Sequence, residues 1–476
     1  MRGGAHARPT PLLFVSVHLT ALAKRICLCV FSTLLLFCGF QWNLWRVADR
    51  KWFLNHQRDM ESQILGRLVK SRQAGLFSAG GLTGFVSPDA RAVEYDDEPF
   101  EYQYAAYRDC LAFGAYTPYM SHVGGQGLVF GLLDAVIGIS PRAKLELFHA
   151  FTSLLSAVVL ATVVLWFYRE FGLPASMLVL ASAVLTPWLT VFGRNLWWCI
   201  WAFYLPMAAV MHFLRRSSNV SGRRAVTFGT LVFATVLVKC LITGYEYITT
   251  ALIMALAPFV YYAVLRRHTM GAFLRGALAA FLGECLAVGV SVAILCVQVA
   301  AVKGSAQAGL EHMARALKKR TYADARNLPP PIVESLKSSP AEVLEVYLTG
   351  TFFDAGNYLP ARSSFVSRHV YRVRYWYLIA LFLLASVAVR LRANKHASPE
   401  ARWKSFALTS ATWFSILAPV SWFLIFKAHS YIHTGINFIT WQMPFTLFGF
   451  ALVALAIKRP PPLKKVAVEG GSAQNS

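Results

Sequence analysis

The chain has 476 residues, of which 56% are apolar and only 14% charged, with a mean hydropathy of +0.48. That is too little polar residue to coat a large soluble globule, which leaves the membrane proteins. The net charge of +23 does not bring nucleic acid back as a partner, because many of the basic residues sit at alternate helix ends rather than in one patch.

In chain order, nearly uncharged runs long enough to cross about 30 Å of hydrocarbon as helices lie near 26–45, 146–167, 172–192, 196–214, 225–242, 247–265, 272–302, 375–390, 404–426 and 436–457. The expected fold is an all-α polytopic membrane protein with about ten transmembrane helices. The stretch PLLFVSVHLTALA, ahead of the first run, has the length of a signal-peptide core, but the charge pattern favours an interfacial stretch or an early start of the first span. Arg2, Arg8, Lys24 and Arg25 precede that span, Arg215, Arg216, Arg223 and Arg224 part the fourth from the fifth, and Arg266 and Arg267 follow the sixth. Arg390, Arg392, Lys395, Arg402 and Lys404 join the eighth to the ninth, and Lys458, Arg459, Lys464 and Lys465 follow the last. Every second connection is short and basic, which assigns those connections and both termini to the cytoplasm. The layout is then a cytoplasmic segment 1–25, a transmembrane core 26–302 with an outer loop 46–145, an outer helical cap 303–374, C-terminal spans 375–457 and a cytoplasmic tail 458–476.

The outer loop begins with Asp49 directly after the first span. From residue 57, Met60, Ile64, Leu65 and Leu68 make an apolar stripe flanked by Arg58, Arg67, Lys70 and Arg72, which reads as an amphipathic helix lying in the membrane interface. Asp59 and Glu61 open it. Two carboxylates two residues apart diverge by about 200° on a helix, so one of them faces a given site, and Asp59, on the side of His56 and Gln63, is the preferred one. Further on, AVEYDDEPFEYQYAAYRDC sets Glu94, Asp96, Asp97, Glu98 and Glu101 among tyrosines, an arrangement open to a sugar, a divalent cation or plain solvation. The glycines of YTPYMSHVGGQGLVFGLLD allow close approach of backbone to a ligand, or a simple tight turn.

Polar residues recur at the outer ends of later spans: Arg194 and Asn195, Lys239 with Tyr245 and Glu246, and Lys427, His429, His433 and Asn437 in KAHSYIHTGIN. A cation there runs against the positive-inside trend and calls for a partner. One reading has Arg194, Lys239, Lys427 and the two histidines converging on a phosphate or diphosphate; the plainer one has each bonded to lipid headgroups or loop carbonyls. The spacing of His429 and His433 also suits a metal, with no third ligand evident. Seven cysteines (Cys27, Cys29, Cys38, Cys199, Cys240, Cys285 and Cys296) fall in spans and Cys110 in the outer loop, with no C-x-x-C pair. The absence of a Walker loop speaks against ATP-driven transport.

With its N-terminal span, a long outer loop bearing the acidic pair Asp59 and Glu61 on a juxtamembrane helix, a many-helix bundle and a second outer region, the chain resembles the GT-C superfamily of membrane glycosyltransferases. The branch in question is that of the protein O-mannosyltransferases and lipid A aminoarabinose transferases. The resemblance implies transfer of a sugar from a polyprenyl-phosphate donor to a glycan, lipid or protein acceptor on the non-cytoplasmic side, usually with inversion. It makes Asp59 the general base supported by Glu61, or Asp49 if that residue matches the family position, and gives the outer Lys, Arg and His groups the leaving phosphate. It implies no certain cofactor and leaves room for a divalent cation. The expected setting is a bacterial inner membrane with the active site on the outer face. A flippase or other transporter of a lipid-linked glycan would use similar outer cations but needs ionisable residues deep in several spans, where Glu284 is the main mid-span acid. A glycan polymerase or ligase would share the phosphate site without a base on the first loop.

Overall fold

A computed structural model describes residues 11–89, 100–217, 220, 222–321, 330–360, 363–396 and 398–458. Helix α1 (Pro11–Trp42) begins within PLLFVSVHLTALA and runs unbroken through the first apolar run. After α2 (Arg50–Asn55) and α3 (Arg58–Ala74) come strand β1 (Gly84–Ser87), α4 (Phe100–Arg108), strand β2 (Ala115–Pro118) and α5 (Gly125–Val136). The bundle continues with α6 (Pro141–Phe171), α7 (Leu173–Val184), α8 (Pro187–Gly193), α9 (Ile200–Arg216), α10 (Arg223–Thr243), α11 (Ile248–Leu265) and α12 (Met270–Lys303). The second inserted region holds α13 (Ala306–Arg320), α14 (Pro330–Lys337), α15 (Pro340–Thr349) and strands β3 (Thr351–Asp354) and β4 (Arg372–Arg374). Helices α16 (Tyr375–His396), α17 (Pro399–Ser415), α18 (Leu417–Ile425), α19 (Lys427–Ile432) and α20 (Phe445–Ile457) complete it.

Among the described residues seven helices are long and apolar enough to cross a membrane, α17 and α18 counting as one, and up to eight if α7 and α8, bent by 68°, are one span. The count of ten expected from the sequence is not reached on length and composition. Helix α9 has 17 residues and α20 has 13. Both are largely buried among other helices, and an interior helix is apolar without having to match a bilayer's thickness. The fold is dominated by helices as expected, but each inserted region also holds a two-stranded antiparallel sheet, β1 with β2 and β3 with β4.

The stripe on α3 does not face a membrane interface. Residues Glu61 to Val69 are buried without a break, because β1 crosses one side and α4 and α5 cover others. Gly66 permits the crossing: a Cβ there would stand 2.1 Å from the Gly84 carbonyl oxygen. Gln103 on α4 clamps the same strand, accepting from the Val86 N–H at 2.9 Å and donating to its carbonyl at 2.7 Å. Arg67 is wholly buried, its guanidinium donating to the carbonyls of Gly75, Leu76 and Ser78.

Contacts between helix termini define the two ends of the bundle. At one, the Glu170 carboxylate near the end of α6 accepts from Tyr261 (3.0 Å) and Tyr262 (2.9 Å) of α11 and pairs with Arg215 of α9 (3.3 Å) and Lys404 of α17 (3.9 Å). The basic connections read from the sequence therefore gather at one end. The other end joins the last turn of α1, the first turns of α6 and the α8–α9, α10–α11 and α18–α20 connections to the inserted regions.

Candidate functional site

A cavity of about 610 Å³ opens at this second end, between the last turn of α1, α2 and the α8–α9 connection. Its wall carries Arg46, Asp49, Arg50 and Arg194, with Asn43 and Asn357 beside them. The loop that presents Arg46 is closed by Asn43, whose side-chain amide donates to the Ala48 carbonyl (2.6 Å) while its oxygen accepts from the Ala48 N–H (3.4 Å). Asp49 caps α2 by accepting the Trp52 N–H at 3.0 Å and is itself exposed. From the second inserted region, Asn357 donates to the Val47 carbonyl (3.1 Å) and Tyr358 to that of Trp45 (2.6 Å), which seats the β3–β4 segment against the same loop.

Arg194 enters from the far wall. Gly193 lets α8 lie on α1, since a Cβ there would fall 2.4 Å from the Phe40 ring. Asn195 then sets the turn, accepting the N–H groups of Trp197 (2.9 Å) and Trp198 (3.2 Å) and donating to the His56 carbonyl (3.3 Å). The Arg194 guanidinium lies 2.9 Å from Nδ1 of His149, 3.4 Å from the Gln41 carbonyl and 5.4 Å from the centre of the Phe53 ring. His149 Nε2 is 3.0 Å from Oε1 of Glu61, which also accepts the Tyr104 hydroxyl at 2.8 Å, while Oε2 accepts the Leu196 N–H at 3.0 Å. Burial alone would push the Glu61 carboxyl up. The contact with His149 and the bonds from the Leu196 amide and Tyr104 outweigh it and hold the group below the usual carboxylate range. Arg58 stacks over the Tyr104 ring at 4.2 Å and pairs with Glu101 at 2.7 Å.

The convergence expected from the sequence is partial. Of the sequence candidates, Asp49 and Arg194 line the cavity, and Glu61 stands directly behind Arg194. Asp59, one residue into α3, is half-buried and does not line it. Asp96 and Asp97 lie outside the described residues.

The remaining candidates form a second group beyond an aromatic layer in which Phe192, Trp198, Tyr247 and Trp422 follow one another at centroid distances of 4.7, 5.6 and 5.1 Å. The buried Lys239 ammonium donates to the carbonyls of Gly244 and Glu246, both at 2.7 Å. The buried Lys427 ammonium donates to those of Leu336 and Ser338, also at 2.7 Å. Glu246 faces His429 at 3.7 Å, the His429 and His433 rings are 4.6 Å apart, and Asn437 donates to the Tyr347 hydroxyl at 3.1 Å. Among the described residues no group of three or more His, Cys, Asp or Glu side chains is arranged to hold a metal.

Sequence reasoning missed His149, Tyr104, Arg46 and Arg50. For His149 the available signal was a lone imidazole within the first turns of an apolar run; for the arginines it was their place on either side of Asp49. No family model, curated protein or solved structure matches the chain.

Proposed function

We propose that the chain is a membrane glycosyltransferase of the GT-C kind. It moves a sugar from a polyprenyl-phosphate donor to a glycan, lipid or protein acceptor on the non-cytoplasmic side of the membrane. The observation that carries this reading is a carboxylate, Asp49, sharing one 610 Å³ cavity with Arg46, Arg50 and Arg194 at the end of the bundle opposite the basic connections. By the positive-inside rule the basic end faces the cytoplasm, so the cavity faces out. The short helices α9 and α20 then count as passes, giving ten with α7 and α8 as one.

In this reading Asp49 takes the proton from an acceptor hydroxyl as its oxygen attacks the anomeric carbon. The bond from that carbon to the phosphate oxygen breaks, and the phosphate leaves with the electron pair, met by the three guanidinium groups. Glu61 is unsuited to be the base, because it does not line the cavity and its two oxygens already receive three donors. The test is Asp49→Asn in the purified full-length protein, assayed for sugar transfer from a polyprenyl-phosphate donor and, separately, for donor binding. The expected result is a loss of about 10²–10⁴ in rate with binding kept. Full activity in Asp49→Asn with loss in Asp59→Asn would move the base to Asp59; activity in both removes the carboxylate mechanism.

A further inference from the structure

We propose that Glu61 and His149 are positioning residues that hold the Arg194 guanidinium at the cavity wall. The proposal rests on the cavity being a phosphate site.

The direction of each hydrogen in the line can be worked out. A guanidinium only donates, so Nδ1 of His149, 2.9 Å from Arg194, is the acceptor. The ring proton then belongs on Nε2, and it is donated to Oε1 of Glu61 across 3.0 Å. Glu61 has no proton of its own to give. It receives His149, Tyr104 and the Leu196 N–H and is thereby filled with donors. Glu61 therefore selects the one imidazole tautomer whose lone pair faces Arg194. It also grips the main chain two residues past Arg194, through Leu196, so one carboxylate holds the loop by its backbone and, through His149, by its side chain. Glu61 and His149 are 6% exposed each, and neither lines the cavity, so they act only through Arg194.

The substitution Glu61→Gln reverses part of this pattern. The NH₂ of the introduced amide must face either the Leu196 N–H or the His149–Tyr104 pair. In the first case the backbone grip fails, and in the second His149 turns to the tautomer that presents a proton to Arg194. His149→Gln keeps a donor near Glu61 but removes the acceptor from Arg194, whereas His149→Asn leaves an oxygen close to where Nδ1 stood.

The experiment is a titration of the full-length protein in detergent micelles with farnesyl phosphate as the probe. Arg194→Ala, Glu61→Gln and His149→Gln each weaken binding by about 10- to 100-fold, the range expected for hydrogen bonds to charged groups, and His149→Asn restores most of it. The decisive reading is the double variant Glu61→Gln with Arg194→Ala, which binds no more weakly than Arg194→Ala alone. A further loss in the double variant overturns the proposal, as does an Arg194 guanidinium still on His149 in a structure of Glu61→Gln. His149→Gln serves both measurements if Glu61→Gln does not fold. If Arg194→Ala binds the probe like the unaltered protein, the phosphate reading fails instead, and the guanidinium position in the variant structures alone decides whether Glu61 and His149 hold it.

Discussion

Replacing Lys427 by Met separates an anion-binding role from a structural one. The ammonium group, on a residue 6% exposed, makes two hydrogen bonds of 2.7 Å to the carbonyls of Leu336, in the last turn of α14, and Ser338, just past it. A bond from a charged donor contributes about 1.5–3 kcal/mol, and an unmet buried carbonyl costs about 1–3 kcal/mol. Against this, removing the lysine also removes the cost of burying an ammonium. A net loss of about 2–4 kcal/mol follows, concentrated where α14 and α15 dock on α19. The hydroxyls of Tyr431, bonded to Glu334 at 3.1 Å, and of Tyr347, bonded to the Ser430 carbonyl at 2.7 Å, are further polar ties there and do not replace the two lost bonds. Hydrogen exchange across residues 333–349 reads the effect directly, and thermal unfolding followed by tryptophan fluorescence reads its share of the whole. Protection in that segment falls while farnesyl phosphate affinity stays within about threefold. Unchanged protection with a tenfold or greater loss of affinity would refute the reasoning and return Lys427 to the anion-receiving role that its sequence context suggests.

Two predictions concern stability. His56 lies between the Trp52 and Phe192 rings, at centroid distances of 5.1 and 5.2 Å, and burial pulls its imidazole from 6.5 down to about 3. Between those values the unfolded chain binds a proton that the folded chain refuses, so stability is whole above pH 6.5 and falls as the medium is acidified, by up to about 1.4 kcal/mol per pH unit. In His56→Phe this part of the decline disappears; equal acid sensitivity in both proteins, measured as Tm from pH 7.5 to 4, would count against it. Gly66→Ala forces a methyl to 2.1 Å from the Gly84 carbonyl and 2.9 Å from the Gln103 amide oxygen. Because the first obstacle is backbone, it costs at least the 1–3 kcal/mol typical of overpacking, roughly, seen as a lowered Tm, while Gly75→Ala, with nothing within 4 Å of its Cβ site, tests the cost of its positive φ alone.

The membrane class and the gathering of basic connections at one end were legible because both are set by composition and by spacing along the chain. The burial of α3 was not. Its stripe of Met60, Ile64, Leu65 and Leu68 fits an interfacial helix as well as a packed one, and what decides is Gly66, whose role appears only when Gly84 is laid across it. Asp49 was visible as an acid next to a span, yet its sharing of one cavity with Arg194 needs the α8–α9 connection folded back over α1, which brings together residues more than a hundred positions apart. Likewise the sequence favoured Asp59 over Glu61 for its place on the side of His56 and Gln63. The half-turn between them sends one into contact with His149 and leaves the other half-buried.

A cation near a helix end calls for an acceptor, but the sequence does not say which kind. The last turns of helices leave carbonyl oxygens unpaired, and where two connections meet in the bundle these are the nearest acceptors to hand. Lys239 and Lys427 are long and flexible enough to reach such oxygens, and each donates to two of them. A point charge with three donors is well suited to closing off a bend in this way. Arg194 has a planar fork that bonds along its edges, and its neighbours are an imidazole, one carbonyl at 3.4 Å and open volume. The useful distinction among outward cations is therefore the fate of their donors. Those consumed by main-chain carbonyls hold the fold, and those beside a cavity, as with Arg46, Arg50 and Arg194, are the ones that the proposed phosphate would meet.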